Sequence, residues 1–403
     1  MNFDLLVLGA GPAGLCLARA LSGKGLSIGV VEQQPLTALR EPAFDGREIA
    51  LTQRSADTLR RLGLWERIEH IDPAALSPLR DAQVLNGLSP RGMRISHALT
   101  RRSELGWLVS NHLIRRAAFE AAHDAAQTHD DVHWFTGQAA AQVHVQGDAA
   151  HVTLADGSAH TARLLIAADS RFSSTRRAVG IGASQYDFGR TMLVCQMTHE
   201  VDHDHVAWEW FDHDQTLALL PMNDDPVTGA HRASAVLTLP AQQINAVMAL
   251  DEAAFGADMT QRFHHRLGAM QLTSTRHAYP LVGVYPHQMV SERLACVGDA
   301  AVGMHPVTAH GFNFGLLGVE TLSGLLLAAH VRQSDIAAPE LLARYQRQHR
   351  LATRPLYEAT RLIARLYTAE SPPARFVREA ALRVADRITP FKRLVAASLA
   401  GSH

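Results

Sequence analysis

Gly9-Ala10-Gly11-Pro12-Ala13-Gly14 follows directly on a short, mostly apolar run at residues 3–8 and leads into an apolar stretch at 15–21. That order reads as strand, tight turn and helix, an arrangement suited to holding phosphate. Gly9 permits the turn, Gly11 lets a pyrophosphate approach the backbone, and Gly14 lets helix and strand pack closely. The helix beginning at Pro12 and Ala13 offers free N–H groups and the positive end of its dipole. A second apolar strand, residues 26–31, ends in Glu32. A carboxylate about 20 residues beyond the glycines is placed to accept from a ribose hydroxyl. These residues predict dinucleotide binding.

Two distant segments bear on which dinucleotide. Residues 164–176 form an apolar strand that ends in Asp169 and turns through Ser170 to Arg176. Residues 294–301 form another strand, ending in Gly298-Asp299. It continues through His305-Pro306 and Gly311-Phe312-Asn313 into an apolar helix. Read alone, Asp169 could cap the turn after it, and Arg176 could be one more solvated arginine.

The three segments, in this order, resemble the dinucleotide fingerprint, the "DG" motif and the "GD" motif of single-component FAD-dependent aromatic hydroxylases. Arg47, in REIALTQRSADTLRRLGLW, and the stretch HPVTAHGFNFGL are most similar to the ubiquinone-biosynthesis hydroxylases. The resemblance implies FAD as cofactor, with Asp299 on its ribityl or ribose hydroxyls and Pro306 beside the isoalloxazine. Gly311, Phe312 and Asn313 then open a helix whose N–H groups face the reduced flavin's pyrimidine ring. Arg47 and Asn111 match family positions that contact FAD, while Gln33 and the Gln138-Ala139 backbone fall near the adenosine. Asp169 and Arg176 match a motif that serves both FAD and the nicotinamide donor.

The activity implied is hydroxylation of an electron-rich ring: NAD(P)H reduces FAD, O₂ forms a flavin C4a-hydroperoxide, and oxygen passes to a prenylated phenol or quinol. No nucleophile, metal or general base is required by the sequence. His310 is the one candidate for a proton relay, and His305 reads as a structural neighbour of Pro306. The chain departs from the family pattern at Ser170 (usually Gly), Val302 (usually His), Ala309-His310 (usually Gly-Gln) and near Gly318 (usually Asp).

Three other readings compete. Trp208-Glu209-Trp210 resembles the W-x-W of flavin-dependent halogenases, but Phe211-Asp212 follows where Ile-Pro is expected, and neither Lys24 nor Lys392 falls where the halogenase lysine lies. A prenyl-chain reductase of the same fold would not consume O₂. A non-catalytic flavin-binding assembly subunit would not have its flavin reduced rapidly by NAD(P)H. The cluster His199, Asp202, His203, Asp204, His205, Asp212, His213 and Asp214 fits no zinc spacing and reads as solvated loop ends.

Composition frames these sites. The 403 residues are 47% hydrophobic and 19% charged, which excludes a disordered or collagen-like chain. A formal net charge of −1 supplies no field to gather nucleic acid. Cys16, Cys195 and Cys296 form no disulfide or zinc framework. The start, MNFDLLVLGAGPAG, has no signal-peptide pattern, and no run of about 18 apolar residues is seen. A soluble, cytoplasmic protein is expected.

The fold expected is α/β: a Rossmann-like FAD-binding domain at 1–72, 101–180 and 277–335, with a long helix at 111–128. A mostly antiparallel sheet at 73–100 and 181–276 forms the substrate domain. Residues 336–403 are expected to be helical, with a kink or break at Pro355. Residues 373–398 alternate apolar clusters with Arg and Lys at helical spacing. That pattern suits weak, peripheral membrane contact, packing on the protein itself, or docking into a ubiquinone-biosynthesis assembly.

Overall fold

A computed structural model describes residues 1–87, 92–212, 215–305 and 310–368, together with Lys392 and Ala396. Its first sheet is built around the strand Asn2–Leu8, in which Leu5, Leu6 and Val7 are wholly buried. Ile28–Glu32 lies parallel to it on one side and Ala159–Ala167 on the other. Val132–Thr136 extends the first flank, and Leu294–Cys296 the second, both parallel. Leu8 therefore stands level with Val31 and Ala167, and Ala167 with Cys296. Four strands end along one edge, so Gly9, Glu32, Asp169 and Gly298 all emerge there. The chain leaves Asn2–Leu8 in opposite directions on its two flanks, which opens a crevice at that edge.

Helices Pro12–Leu21, Asn111–His129 and Gly311–Val331 cover one face of this sheet through Leu15, Leu17, Ile114, Ala118, Leu316 and Leu322. Among the described residues, Gly311–Val331 is the one helix long and apolar enough to cross a membrane, against the expectation that no such stretch exists. Half of its most apolar window is buried, and Val319, Leu322 and Leu326 pack into the core. Pro339–Thr368 is one helix with Pro355 inside it, so the chain does not break there.

The second sheet is mostly antiparallel. Ala183–His199 pairs with His231–Pro240, followed in order by Gln215–Pro221, Val206–Asp212, Asp81–Asn86 and Met93–Ser96. Val206–Asp212 and Asp81–Asn86 are the parallel exception. The strand His277–Pro286 pairs with Ala183–Asp187 and Thr191–Val194 of this sheet, although the boundary expected at 277 puts it with the FAD-binding domain. Ser77–Leu79 instead joins Glu48–Thr52 and Gly106–Ser110 in a small third sheet. Of the amphipathic segment 373–398, only Lys392 and Ala396 lie among the described residues. Ala396 is buried against Leu79, Ile95, Leu105 and Ala207.

Candidate functional site

At the edge of the first sheet, Gly9 has φ +112°, and a Cβ there would lie 2.5 Å from the Ala168 carbonyl oxygen. A Cβ on Gly14 would lie 2.1 Å from the Gly9 oxygen, so Gly14 works at the back of the turn. Gly11 differs: a Cβ there would meet nothing within 4 Å, because it fronts the crevice. Gly11 is also the N-cap of helix Pro12–Leu21, with no side chain closing that end. Glu32 accepts from the Ala10 amide at 2.8 Å and from the Gln34 amide at 2.9 Å, so its carboxylate also shapes the turn. An open helix end beside an acid fits a dinucleotide's pyrophosphate and ribose.

The second motif is arranged differently from the roles implied for it. Asp169 accepts from Thr175 N at 3.0 Å, from Thr175 Oγ1 at 2.9 Å and from the Ser173 hydroxyl, so it caps its own turn while facing the crevice. Ser170 sits at φ +87°, a region where glycine is at ease and serine is not. Arg176 does not line the crevice. It is 1% exposed and donates to the carbonyls of Ala300 (2.8 Å) and Arg171 (3.2 Å), bracing the second motif against the third. Arg171, two residues after Asp169, reaches the crevice instead and pairs with Asp299 at 3.1 Å.

In the third motif Gly298 (φ +60°), Asp299, Gly311 and Phe312 line the crevice. Asn313 does not; its side chain accepts from Thr52 N at 2.9 Å and donates to Ala50 O at 2.8 Å. It ties the start of the Gly311–Val331 helix to the Glu48–Thr52 strand. Pro306 lies outside the described residues. His310 is buried, 5.8 Å from the Phe314 ring, and is not a lining residue, so the candidate relay is set back from the crevice. His305 lines it, edge-on to Phe188 at 4.5 Å, and burial pushes its imidazole down to about 4.

Arg47 and Asn111 converge on a residue that the sequence reading missed. Asp45 Oδ2 accepts from Arg47 Nη2 and from Asn111 Nδ2, each at 2.7 Å. Burial works against the Asp45 carboxylate, but Arg47 and Asn111 outweigh it and hold its pKa below the ordinary value. The Tyr279 hydroxyl donates to Asp45 O at 2.8 Å, and its ring lies 5.5 Å from the Arg47 guanidinium. Nearby, Glu48 accepts from Ser110 Oγ at 2.6 Å and from Gln196 Nε2 at 3.0 Å. Burial pushes Glu48 up to about 7.

Gly11, Glu32, Arg47, Glu48, Asn111, Asp169, Tyr279 and Asp299 line one cleft of about 1030 Å³, which also takes in Gln33, Gln138 and Ala139, while Asp45 braces Arg47 and Asn111 from behind. It continues from the glycine turn onto one face of the second sheet. Along Val206–Asp212, Glu209 and Phe211 face the cleft, while Trp210 is buried in the core beneath. The same alternation sends Met192 and Val194 to the cleft and Leu193 and Cys195 to the core. A polar, glycine-lined half thus opens into a largely apolar half.

The His/Asp cluster is not made only of solvated loop ends: His199 and His203 are buried, their rings 5.3 Å apart, with His205 5.5 Å from His203. His203 Nε2 donates to the carbonyls of Met222 (3.1 Å) and Arg232 (3.0 Å), and His199 Nδ1 bonds Val201 O at 3.0 Å. His213 and Asp214 lie outside the described residues. Among the described residues, no three His, Cys, Asp or Glu side chains are grouped to hold a metal.

Residues 2–360 match the family described as the FAD binding domain. The chain belongs to that family. Ubiquinone hydroxylase UbiM of Neisseria meningitidis is 42% identical over 405 residues, covering 100% of this chain and 85% of the relative. Ubiquinone hydroxylase UbiL of Rhodospirillum rubrum is 32% identical over 394 residues, covering 97% and 88%. Among solved structures, p-nitrophenol 4-monooxygenase PnpA from Pseudomonas putida DLL-E4 superposes with a TM-score of 0.75 at 17% identity, covering 100% of this chain and 99% of that one. The resemblance read from the three motifs is borne out, and with it the α/β fold. The chain is an FAD-dependent aromatic hydroxylase by family.

Proposed function

We propose that this FAD-dependent hydroxylase acts on the ring of a polyprenylated phenol or quinol in ubiquinone biosynthesis, using NAD(P)H and O₂. The observation that carries the reading is the continuity of the cleft: a dinucleotide turn and a mostly apolar chamber share one space. The two ubiquinone hydroxylases above, similar over nearly the whole chain, support the substrate class.

Gly11, Pro12 and Ala13 present the helix end to the FAD pyrophosphate, and Glu32, Gln33 and Ala139 sit at the adenosine end. Asp299, steadied by Arg171, takes ribityl hydroxyls, and Arg47 is held toward the flavin by Asp45, with Asn111 beside it. Gly311 and Phe312 bring a helix N-terminus to the ring system. FAD supplies the redox chemistry, taking electrons from the nicotinamide and passing them to O₂. The chain's part is to seat FAD and substrate in contact and to exclude water with the apolar wall. The FAD-binding part comprises 1–72, 101–180 and the residues after 286 to about 335, with the second sheet as substrate wall. Contact with the cytoplasmic face of a membrane is peripheral and reversed by salt, since the isoprenoid tail resides there.

Purified holoprotein should oxidise NAD(P)H and consume O₂ with a prenylated phenol, giving a product 16 mass units heavier. Complementation of strains that each lack one ring hydroxylase would then show which carbon is hydroxylated. Absence of bound FAD, or alkene reduction without oxygen uptake, would overturn the proposal.

A further inference from the structure

Among the described residues, Glu209 is the one carboxyl on the substrate-sheet face of the cleft, and its surroundings are unusual. Across the strands it stands level with Ala218, Val236 and Val194, with Phe211 and Met192 in the next row. Among the described residues its carboxyl makes no hydrogen bond or ion pair, and, half-buried, it opens into the cleft from an otherwise apolar stretch of wall. On the same wall, Ser234 Oγ is fully buried and also lacks a partner. Two unpartnered polar groups on one cleft wall are complementary to a ligand carrying more than one oxygen. Trp208 and Trp210 pack on the other side of the sheet and fix the strand that carries Glu209.

We infer that Glu209 accepts the proton of the substrate's ring hydroxyl, with Ser234 bonding a neighbouring ring oxygen. This rests on the hydroxylase reading above. The phenol O–H bond breaks, its proton goes to a Glu209 carboxylate oxygen, and its electron pair stays on the phenol oxygen. Electron density rises at the ring carbons ortho and para to it. NAD(P)H and O₂ of the proposed reaction supply the two electrons and the oxygen atom. When the hydroxylated carbon loses its hydrogen as a proton, which ends in the water formed from the second oxygen atom of O₂, the ring regains aromaticity and Glu209 returns its proton to the original oxygen. The carboxylate is regenerated.

Burial alone pushes the Glu209 carboxyl up to about 8, toward the phenol range, where a carboxylate is a competent base. The other titratable groups of this chamber are Arg190 on the adjoining long strand, and Glu48, Tyr279 and His305 on the facing elements. Its pKa is not moved by any of them.

The test uses FAD-loaded full-length protein with a short-chain prenylphenol and its O-methyl ether. In wild type, log kcat/KM for hydroxylation should rise with pH and level off near 8, and the phenol should perturb the flavin spectrum at lower concentration than the ether does. Glu209→Gln should bind FAD as before, turn over about 10²-fold more slowly and lose the rise with pH. Glu209→Asp should restore the rise at a lower rate, which separates proton transfer from packing and carries the test should the glutamine variant misfold. Wild-type hydroxylation with an unchanged pH profile in both variants overturns the role of Glu209 and leaves the hydroxylase reading standing. A holoprotein that neither binds nor hydroxylates any prenylphenol overturns both.

Discussion

Asn313 and Thr52, 261 positions apart, are joined by a 2.9 Å hydrogen bond from the Thr52 amide to the Asn313 side-chain oxygen. The Asn313 amide completes the pair by donating to Ala50 O at 2.8 Å. The small third sheet, which carries Glu48 at the cleft, is thereby registered against the helix whose first turn also lines the cleft.

Asn313→Ala should cost about 2 kcal/mol in stability, because it leaves two backbone groups of a strand unsatisfied. Asn313→Asp should lose only the donor bond to Ala50. Chemical denaturation of the apoprotein reads the first effect. FAD titration should then show weakened affinity in both variants, since strand and helix no longer hold one register. Unchanged stability in the alanine variant would mean that the pair does not carry this load.

Gly11 and Gly14 offer a sharper contrast, because one fronts empty space and the other a backbone oxygen. Gly14→Ala forces the turn apart and should destabilise the apoprotein by about 3 kcal/mol. Gly11→Ala should fold as wild type yet bind FAD at least about tenfold more weakly, a difference of about 1.4 kcal/mol. Thermal unfolding of apoprotein and flavin fluorescence titration separate the two. Equal FAD affinity in Gly11→Ala would place the pyrophosphate elsewhere.

Glycine-dependent geometry was the most legible part of the sequence, because Gly9 and Gly14 answer steric demands that their spacing expresses. Four of the five parallel strands were legible for a similar reason: their apolar runs are short and are followed by Gly, Glu or Asp. Arg176 was not, since a motif arginine reads the same whether it is solvated or, as here, 1% exposed under two carbonyls. Asp45 was invisible because its partners, Asn111 and Tyr279, reach it only through tertiary structure. Glu209 was noticed only as the centre of a tryptophan pair. Strand alternation around Trp210 could have marked it as facing the opposite side.

Ser170 holds φ +87° where the family resemblance leads one to expect glycine. A non-glycine residue there costs on the order of 1–3 kcal/mol, against about 0.5–1 kcal/mol for a glycine's extra unfolded-state freedom. Ser170→Gly should therefore raise stability by about 0.5 kcal/mol, and Ser170→Val should lower it by on the order of 1–3 kcal/mol. Differential scanning calorimetry of the apoproteins checks both signs. A stabilised valine variant would contradict the backbone geometry.

Glu48 makes a prediction in pH rather than in side-chain volume. Burial raises its pKa to about 7, despite the hydrogen bonds from Ser110 and Gln196. An unfolded glutamate titrates near 4.3. Between about pH 4.3 and 7 the folded protein therefore binds more protons than the unfolded chain does, and its stability falls as pH rises through that window. The contribution is fully present below the unfolded value and lost above the folded one, on the order of 3–4 kcal/mol in all. Asp45 acts in the opposite sense: its pKa lies below the ordinary value, so its contribution is lost as pH falls through that lower range. The two windows do not overlap, which allows them to be read separately. Glu48→Gln keeps an acceptor for Ser110 and removes the charge, so its apoprotein should lack the wild-type decline from pH 4.5 to 7 and be the more stable of the two at pH 8. Urea midpoints across that range make the measurement, and a decline that persists in Glu48→Gln would assign it to another group.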